Sequence, residues 1–222
     1  MVETYGYLDV PRRDMVDYVP RQAKTLLDVG CGRGGFGQSL LQRGPIDLTG
    51  IELDPVAADA ASERYHQVIT GAFPSDIPPD RVFDCIVFND ILEHLVDPWG
   101  ALAAAKKMLS PGGVVVASVP NMRYWPVLWP LLRRGEWRYV SDGVLDRTHL
   151  RFFTLSSVVE MFRGAGYEIE TARPINPVSF DNLEPHAAPI LWLICKLRER
   201  LGAELRSQQF AVVATPRVDS GH

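Results

Sequence analysis

Short apolar runs alternate with helical segments over the first 120 residues. The apolar runs have the length of buried strands and fall at 25–29, 48–53, 68–70, 82–88 and 113–119. Segments typical of helices follow the first, second and fourth of them, at 34–43, 55–64 and 98–109, and a short helix is predicted ahead of the first strand at 9–19. This alternation predicts an α/β fold built on a doubly wound sheet.

The alternation breaks after residue 120. Tryptophans, tyrosines and arginines crowd the segment 121–150, and the pattern then resumes with Thr154 as the N-cap of a helix that ends near residue 164. A strand, a proline-marked link, a helix and a final strand follow, at 167–173, 174–189, 190–201 and 209–215. We therefore expect a single domain over residues 1–222, with an insertion at about 121–150.

A glycine-rich stretch, TLLDVGCGRGGFG at 25–37, joins the first strand to its helix. Its glycines fit G-x-G-x-x-G, the dinucleotide pattern, and Glu52 follows 22 residues after Gly30. Asp28, however, precedes the turn and would repel a pyrophosphate. S-adenosylmethionine carries a ribose, an ammonium and a sulfonium but no phosphate, so Asp28 suits its amino group and Glu52 its ribose hydroxyls. The charges favour S-adenosylmethionine over a dinucleotide.

Several motifs together resemble the class I S-adenosylmethionine-dependent methyltransferases, in particular a bacterial branch associated with surface-polysaccharide and small-molecule methylation. They are LLDVGCGRGGFG, GIELDP, FDCIVFNDILEHLVDP, LSPGGVVVASVPN and DRTHLRFFT, and the resemblance covers about residues 10–173. It implies a Rossmann-like, seven-stranded sheet that is mostly parallel, with the last strand antiparallel beside the fifth.

The resemblance also implies a set of cofactor-binding residues. Asp28, Gly30, Gly32 and Gly34 would form the loop on the methionine side, Glu52 would hold the ribose, and Asn89 and Asp90 would lie under the methionine moiety. One position departs from the family pattern, because Ala72 stands where many members have an aspartate for the adenine amine. Adenine recognition is then expected to rest on backbone groups near Ala72 and Phe73 and on apolar packing.

Methyl transfer to a hydroxyl requires alignment of the reactants and removal of a proton, for which histidine is a suitable base. His94 follows the fourth strand and His149 lies in the loop after the fifth, where open α/β sheets bind ligands. Both are predicted catalytic residues, whereas His66, His186 and His222 fall elsewhere.

Asp90, Glu93 and His94 would share one face of a helix, and carboxylates with an imidazole can hold a divalent cation. Similar clusters bind magnesium or a related ion in some methyltransferases that act on quinone precursors. The competing interpretation, that Glu93 and His94 order the loop through hydrogen bonds, is preferred, and no metal is predicted.

Two further segments are open to more than one interpretation. In LDRTHLRFFT (145–154), Asp146 and Arg147 could form a structural clasp, or Arg147 or Arg151 could bind an acidic substrate. The Trp-rich stretch 124–139 is interpreted first as a lid over the acceptor, with a dimer contact and a membrane-surface element as alternatives. The helix at 190–201 is expected to pack rather than anchor.

The composition bears on the partners of the protein and on its cellular compartment. A net charge of −4 argues against a nucleic-acid partner, and three scattered cysteines indicate a reducing compartment. The N-terminus lacks the apolar core of a signal peptide, and no apolar run would span a bilayer. We expect a cytoplasmic enzyme that methylates a small-molecule or glycan acceptor and releases S-adenosylhomocysteine. The alternatives are a ubiquinone-like O-methyltransferase with a divalent metal, a non-catalytic S-adenosylmethionine-binding module and a nucleotide-dependent oxidoreductase.

Overall fold

Seven strands form one sheet in the order β3-β2-β1-β4-β5-β7-β6. The computed structural model describes residues 9–183 and 185–217. The predictions made for His222 and for the first residues of the chain therefore lie outside the described residues. The strands are β1 (Thr25–Val29), β2 (Asp47–Glu52), β3 (Gln67–Thr70), β4 (Phe83–Asn89), β5 (Leu109–Pro120), β6 (Tyr167–Pro177) and β7 (Ser207–Pro216). The pairs among β1 to β5 are parallel, and β7 runs antiparallel to both β5 and β6. The predicted sheet, with its antiparallel last strand, is confirmed.

Helices cover both faces of this sheet. They are α1 (Arg13–Val16), α2 (Gly35–Leu41), α3 (Pro55–Ser62), α4 (Pro98–Lys107), α5 (Trp125–Arg134), α6 (Leu155–Gly164), α7 (Ala188–Leu197) and α8 (Glu199–Arg206). Side-chain caps begin some of them, and at α3 the side chain of Asp54 accepts hydrogen bonds from two N–H groups of the helix. Thr154 and Ser157 form a reciprocal capping box on α6, so the predicted N-cap is confirmed.

Alternate residues of the strands face two separate cores. Leu27 of β1 packs with one set of helices, α4 and α6 among them, whereas Leu26 packs with α1, α2 and α3. A third, smaller cluster joins α5, α7 and α8 through Trp125, Leu191 and Leu205. The two main layers explain why the central strands are apolar throughout.

The structure corrects several predicted boundaries. The Trp-rich segment contains a ten-residue helix, α5, that was not predicted because Pro126 and Pro130 interrupt it. The predicted helix at 190–201 is two helices, separated at Arg198, which has a non-helical backbone. The strand predicted at 113–119 begins earlier, at Leu109, and its register with β4 shifts near its start. The leading helix is a single turn, and β6 takes up the first part of the predicted link.

The helices are short relative to a bilayer. Within the residues that the structure describes, none is both long enough and apolar enough to span a membrane.

Candidate active site

Polar side chains gather where the parallel strands β1, β2 and β4 end. Asp28 is the fourth residue of β1, and Glu52 and Asn89 are the last residues of β2 and β4. The glycine-rich loop follows β1, and Gly30, Gly32 and Gly34 all have positive φ, a conformation that residues with a Cβ rarely adopt. A ligand at this edge of the sheet would meet backbone on one side and carboxylates on the other.

Asp28 is buried and half satisfied. Its Oδ2 accepts a hydrogen bond of 2.5 Å from the hydroxyl of Tyr65. The hydroxyl oxygen of Tyr65 in turn accepts the N–H of Gly37 at 3.1 Å. Its Oδ1 has no hydrogen-bond partner among the described residues. Burial raises the pKa of Asp28 to about 7, against the opposing effect of the Tyr65 hydrogen bond. A cationic ligand at Oδ1 would favour the ionised form.

Glu52 already fixes the loop through both carboxylate oxygens. Oε2 accepts the N–H of Gly32 at 2.9 Å, and Oε1 accepts the N–H of Asp54 at 3.0 Å. A carboxylate offers about four acceptor positions, so these two bonds leave capacity for the hydroxyls of a ribose. Glu52 therefore both shapes the glycine loop and can receive the sugar.

Asn89 and Asp90 differ in how they are held. The side-chain nitrogen and oxygen of Asn89 are buried and have no protein partner in the described structure, so both can bond to a polar ligand. Asp90 has positive φ and is tightly bound. Its Oδ1 accepts hydrogen bonds from Ser118 (2.9 Å) and Gln209 (2.6 Å), and its Oδ2 pairs with Arg12.

A closed ring of hydrogen bonds extends from Asp90. Arg12 also pairs with Asp14 at 3.0 Å, Asp14 accepts from the Asn176 amide at 3.0 Å, and Asn176 donates to Gln209 at 2.7 Å. Gln209 closes the ring on Asp90. The segment before β1 is thereby joined to β6 and β7, and a guanidinium is placed at the acidic end of the site.

The adenine end differs in detail from the expectation. The N–H of Ala72 donates to the Asp76 carboxylate at 2.8 Å, so the chain supplies a carboxylate here from four residues downstream. The ring of Phe73 packs edge-on against Phe88, with centroids 5.5 Å apart. Apolar packing is thus present, whereas the backbone N–H of Ala72 is already occupied.

The two predicted bases are neighbours. The rings of His94 and His149 meet edge to face with centroids 4.7 Å apart, and Nδ1 of His94 lies 3.2 Å from the hydroxyl of Thr148. Nδ1 of His149 lies 3.2 Å from the carbonyl oxygen of Val144. Because a carbonyl can only accept, Nδ1 of His149 carries the proton, and in the neutral ring Nε2 bears the lone pair.

Glu93 lies beneath this pair of histidines. It is fully buried, neither carboxylate oxygen has a hydrogen-bond partner among the described residues, and Oε1 is 4.0 Å from Nε2 of His149. Burial, with the nearby charge of Asp90, raises the pKa of Glu93 well above its usual range. Burial and the neighbouring His94 lower the pKa of His149. The pair therefore favours a neutral carboxyl beside a neutral imidazole.

Backbone and side-chain contacts bring the loop at 145–151 to the end of β4. The carbonyl oxygen of Glu93 accepts the N–H groups of Leu150 (2.8 Å) and Arg151 (3.0 Å). Asp146 holds both the N–H and the hydroxyl of Thr148 at 2.7 Å, and Arg151 donates to backbone carbonyls. These contacts give Asp146 a structural role through Thr148 and give Arg151 structural partners, whereas the clasp between Asp146 and Arg147 stays a prediction.

The residues grouped closely enough to hold a metal ion differ from the set considered in the sequence. Ligand atoms of Glu93, His94 and His149 all lie within 4.8 Å of one another. The expectation that Asp90 shares a helical face with Glu93 and His94 is wrong, since the helical turn covers only Leu92–His94 and Asp90 faces Arg12.

Sequence reasoning missed Arg12 and Tyr65. Tyr65 lies just after the end of α3, and an aromatic residue closing an alanine-rich helix was a usable signal. Arg12 lies in a charged run before β1, and nothing local connects it to Asp90, 78 positions later.

Known proteins resemble this chain in sequence and in fold. A model of a methyltransferase domain matches residues 9–172. The chain is 33% identical to a ubiquinone biosynthesis O-methyltransferase of Pseudomonas entomophila over 79% of each chain. It is 28% identical to the Cereibacter sphaeroides enzyme of the same name, over 76% of this chain and 70% of that one. A solved methyltransferase from Archaeoglobus fulgidus superposes with a TM-score of 0.65 at 17% identity, covering 91% and 93% of the two chains.

Proposed function

Since the chain belongs to the S-adenosylmethionine-dependent methyltransferases, we propose that it methylates a hydroxyl group of a ring-bearing small molecule, with His149 as the general base. The observation that carries this proposal is the hydrogen bond from Nδ1 of His149 to Val144. It leaves the lone pair of the neutral ring on Nε2, and this nitrogen can take the proton of an acceptor hydroxyl.

The residues at the strand ends fit the cofactor. The unpartnered Oδ1 of Asp28 and the buried amide of Asn89 suit the amino acid moiety, and Arg12 suits its carboxylate. Glu52 receives the ribose hydroxyls, and the second oxygen of Asp76 suits the adenine amine that Ala72 cannot bind through its side chain. Gly30, Gly32 and Gly34 let the backbone approach closely.

The cofactor supplies an electrophilic methyl group on a sulfonium. This chain's residues hold the acceptor in line with that group and manage one proton. Nε2 of His149 takes the hydroxyl proton, and the charges of Asp146 and Asp90 favour the imidazolium that results. His94 confines the ring of His149 from the side.

Two observations support a ring-bearing acceptor. Phe152 lies 6.4 Å from the His149 ring and in turn contacts Trp137, with centroids 5.8 Å apart. Aromatic side chains beside the base suit a phenol, a quinol or a sugar. The names of the two relatives, ubiquinone biosynthesis O-methyltransferases, favour oxygen as the methylated atom, and we place a glycan precursor second. The segment around Trp137 is proposed to cover this acceptor.

We propose that the enzyme is cytoplasmic, because Cys31, Cys85 and Cys195 form no disulfide. We also propose that it has no nucleic-acid partner.

The proposal is tested by release of S-adenosylhomocysteine in the presence of catechols, hydroxybenzoates and nucleotide sugars, assayed separately. We expect turnover with a phenolic acceptor. Release only with nucleotide sugars would move the acceptor class to glycans. Binding of S-adenosylmethionine by calorimetry without any release across the panel would favour a binding module. Binding of NAD in its place would favour an oxidoreductase.

A second candidate keeps the reaction but adds a divalent ion. Glu93, His94 and His149 offer one oxygen and two nitrogens, a donor set that fits such an ion, and the ion would lower the pKa of the acceptor hydroxyl. Under the first proposal, EDTA leaves turnover unchanged. The second candidate would be established if EDTA abolished turnover and if zinc or magnesium restored that turnover in the wild type but not in Glu93→Gln.

A further inference from the structure

Helix α7 presents apolar side chains to water on the side that faces away from the protein. Leu191 is fully buried against the cluster with α5 and α8. On the sides of the helix turned away from that cluster, Trp192 is 52% exposed, Leu193 50% and Leu197 69%. A helix with one side on the core normally turns polar residues to solvent, so this outward face needs a partner.

Helix α5 also exposes an apolar side chain. Trp125, Leu128 and Trp129 pack in the same cluster as Leu191, and Leu132 continues their stripe at helical spacing. Leu132 is 67% exposed. We call the exposed set the α5–α7 surface, defined by Leu132, Ile190, Trp192, Leu193 and Leu197.

Basic residues border the α5–α7 surface. Arg133 and Arg134 form the last turn of α5, and Lys196 lies over the ring of Trp192 at 4.9 Å. Arg198 and Arg200 follow at the start of α8 and are exposed. Acidic neighbours are present too: Glu136 pairs with Arg134, and Glu199 opens α8. Positive charge still predominates here, although the whole chain carries a net charge of −4.

We propose that the α5–α7 surface binds the face of an anionic lipid bilayer. Leucines, isoleucine and tryptophan enter the boundary between headgroups and acyl chains, while lysine and arginine meet the lipid phosphates. A second copy of the chain fits less well, because a twofold contact would bring together two surfaces on which positive charge predominates. Charge complementarity therefore selects the bilayer as the occupant.

The binding is measured by flotation of the full chain with vesicles of phosphatidylcholine alone or mixed with phosphatidylglycerol, at low and high salt. We expect flotation with the mixed vesicles at low salt and less at high salt. The double variant Leu193→Ser/Leu197→Ser is expected to lower the affinity for these vesicles about tenfold or more. The matched control is Val82→Ser, since Val82 is 56% exposed at the start of β4.

A charge variant separates the electrostatic contribution. Lys196→Glu should weaken binding to the mixed vesicles several-fold, whereas Lys107→Glu, at the exposed end of α4, should not. Absence of flotation, or equal flotation of every variant, would overturn the proposal. A wild-type dimer in light scattering that becomes monomeric in Leu193→Ser/Leu197→Ser would assign the surface to a second copy instead. Vesicle binding is read without turnover, so its outcome is independent of the proposed reaction.

Discussion

The hydroxyl of Tyr65 donates a 2.5 Å hydrogen bond to Oδ2 of Asp28, and both groups are buried. This bond ties the end of α3 to the strand that carries the glycine loop. The same hydroxyl accepts the N–H of Gly37 in α2. One phenolic oxygen therefore orients the carboxylate and fixes the helix that follows the loop.

Replacing Tyr65 with phenylalanine should weaken both structure and binding. Tyr65→Phe leaves a buried carboxylate oxygen and a buried N–H without their partner, which costs about 1–3 kcal/mol in the free energy of unfolding. Urea unfolding measures that cost, and calorimetry measures the affinity for S-adenosylmethionine, which should fall as well. The control Tyr139→Phe, at an exposed position, should change neither. Unaltered stability in Tyr65→Phe would contradict the role given to this bond.

The raised pKa of Asp28 makes stability depend on pH in a defined direction. Its pKa in the folded protein, about 7, exceeds the value of about 4 in an unfolded chain. Between these values the folded state binds more protons, so the Asp28 contribution to stability is largest at low pH and is lost as pH rises.

Relative to Asp28→Asn, the wild type should therefore lose about 2 kcal/mol of stability between pH 5 and pH 7. Urea unfolding of the cofactor-free proteins at the two pH values measures the difference. Cofactor affinity should change in the opposite sense, rising with pH in the wild type as the carboxylate forms. Parallel pH profiles for the two proteins would show that Asp28 is already ionised at pH 5.

Arg12 is predicted to bind the cofactor in addition to pairing with Asp90. Arg12→Met keeps much of the side-chain volume but leaves Asp90 without its cation, so the Kd for S-adenosylmethionine should rise about tenfold or more. Arg13→Met provides a matched control, because Arg13 is exposed one position later. Equal affinities for the two variants would restrict Arg12 to a structural role.

His149 is predicted to act in turnover rather than in cofactor binding. His149→Ala should lower kcat by about 10²- to 10⁴-fold, with little change in the Kd for S-adenosylmethionine. His66→Ala serves as the control, because His66 is exposed and lies just before β3. Equal losses of turnover and affinity, or no loss of turnover, would exclude His149 as the base.

The sequence allowed the sheet to be predicted because its strands are short apolar runs bounded by glycine and proline. The order of β7 and β6 came from the family resemblance, since no local pattern records which strands pair. Asp28 and Glu52 could be singled out by charge beside the glycine loop. Their roles as cofactor ligands remain predictions, as do those of His94 and His149.

The remainder of the site depends on contacts between distant segments. Arg12 reaches Asp90, and Asp76 reaches Ala72, through turns whose paths no periodicity records. Helix α5 was hidden by its two prolines, although Pro126 lies in the first turn, where proline is tolerated. The break at Arg198 was missed because the apolar and charged halves of 190–201 form an uninterrupted run.

The ring through Arg12, Asp90 and Gln209 has a consequence for the order of folding. Position 12 lies before the first strand and position 209 in the last, so the carboxylate of Asp90 is fully held only when β7 has inserted between β5 and β6. A nascent chain that has formed β1 to β5 would possess the glycine loop without its final fastening. The full set of bonds to Asp90 would thus mark the pairing of the seventh strand.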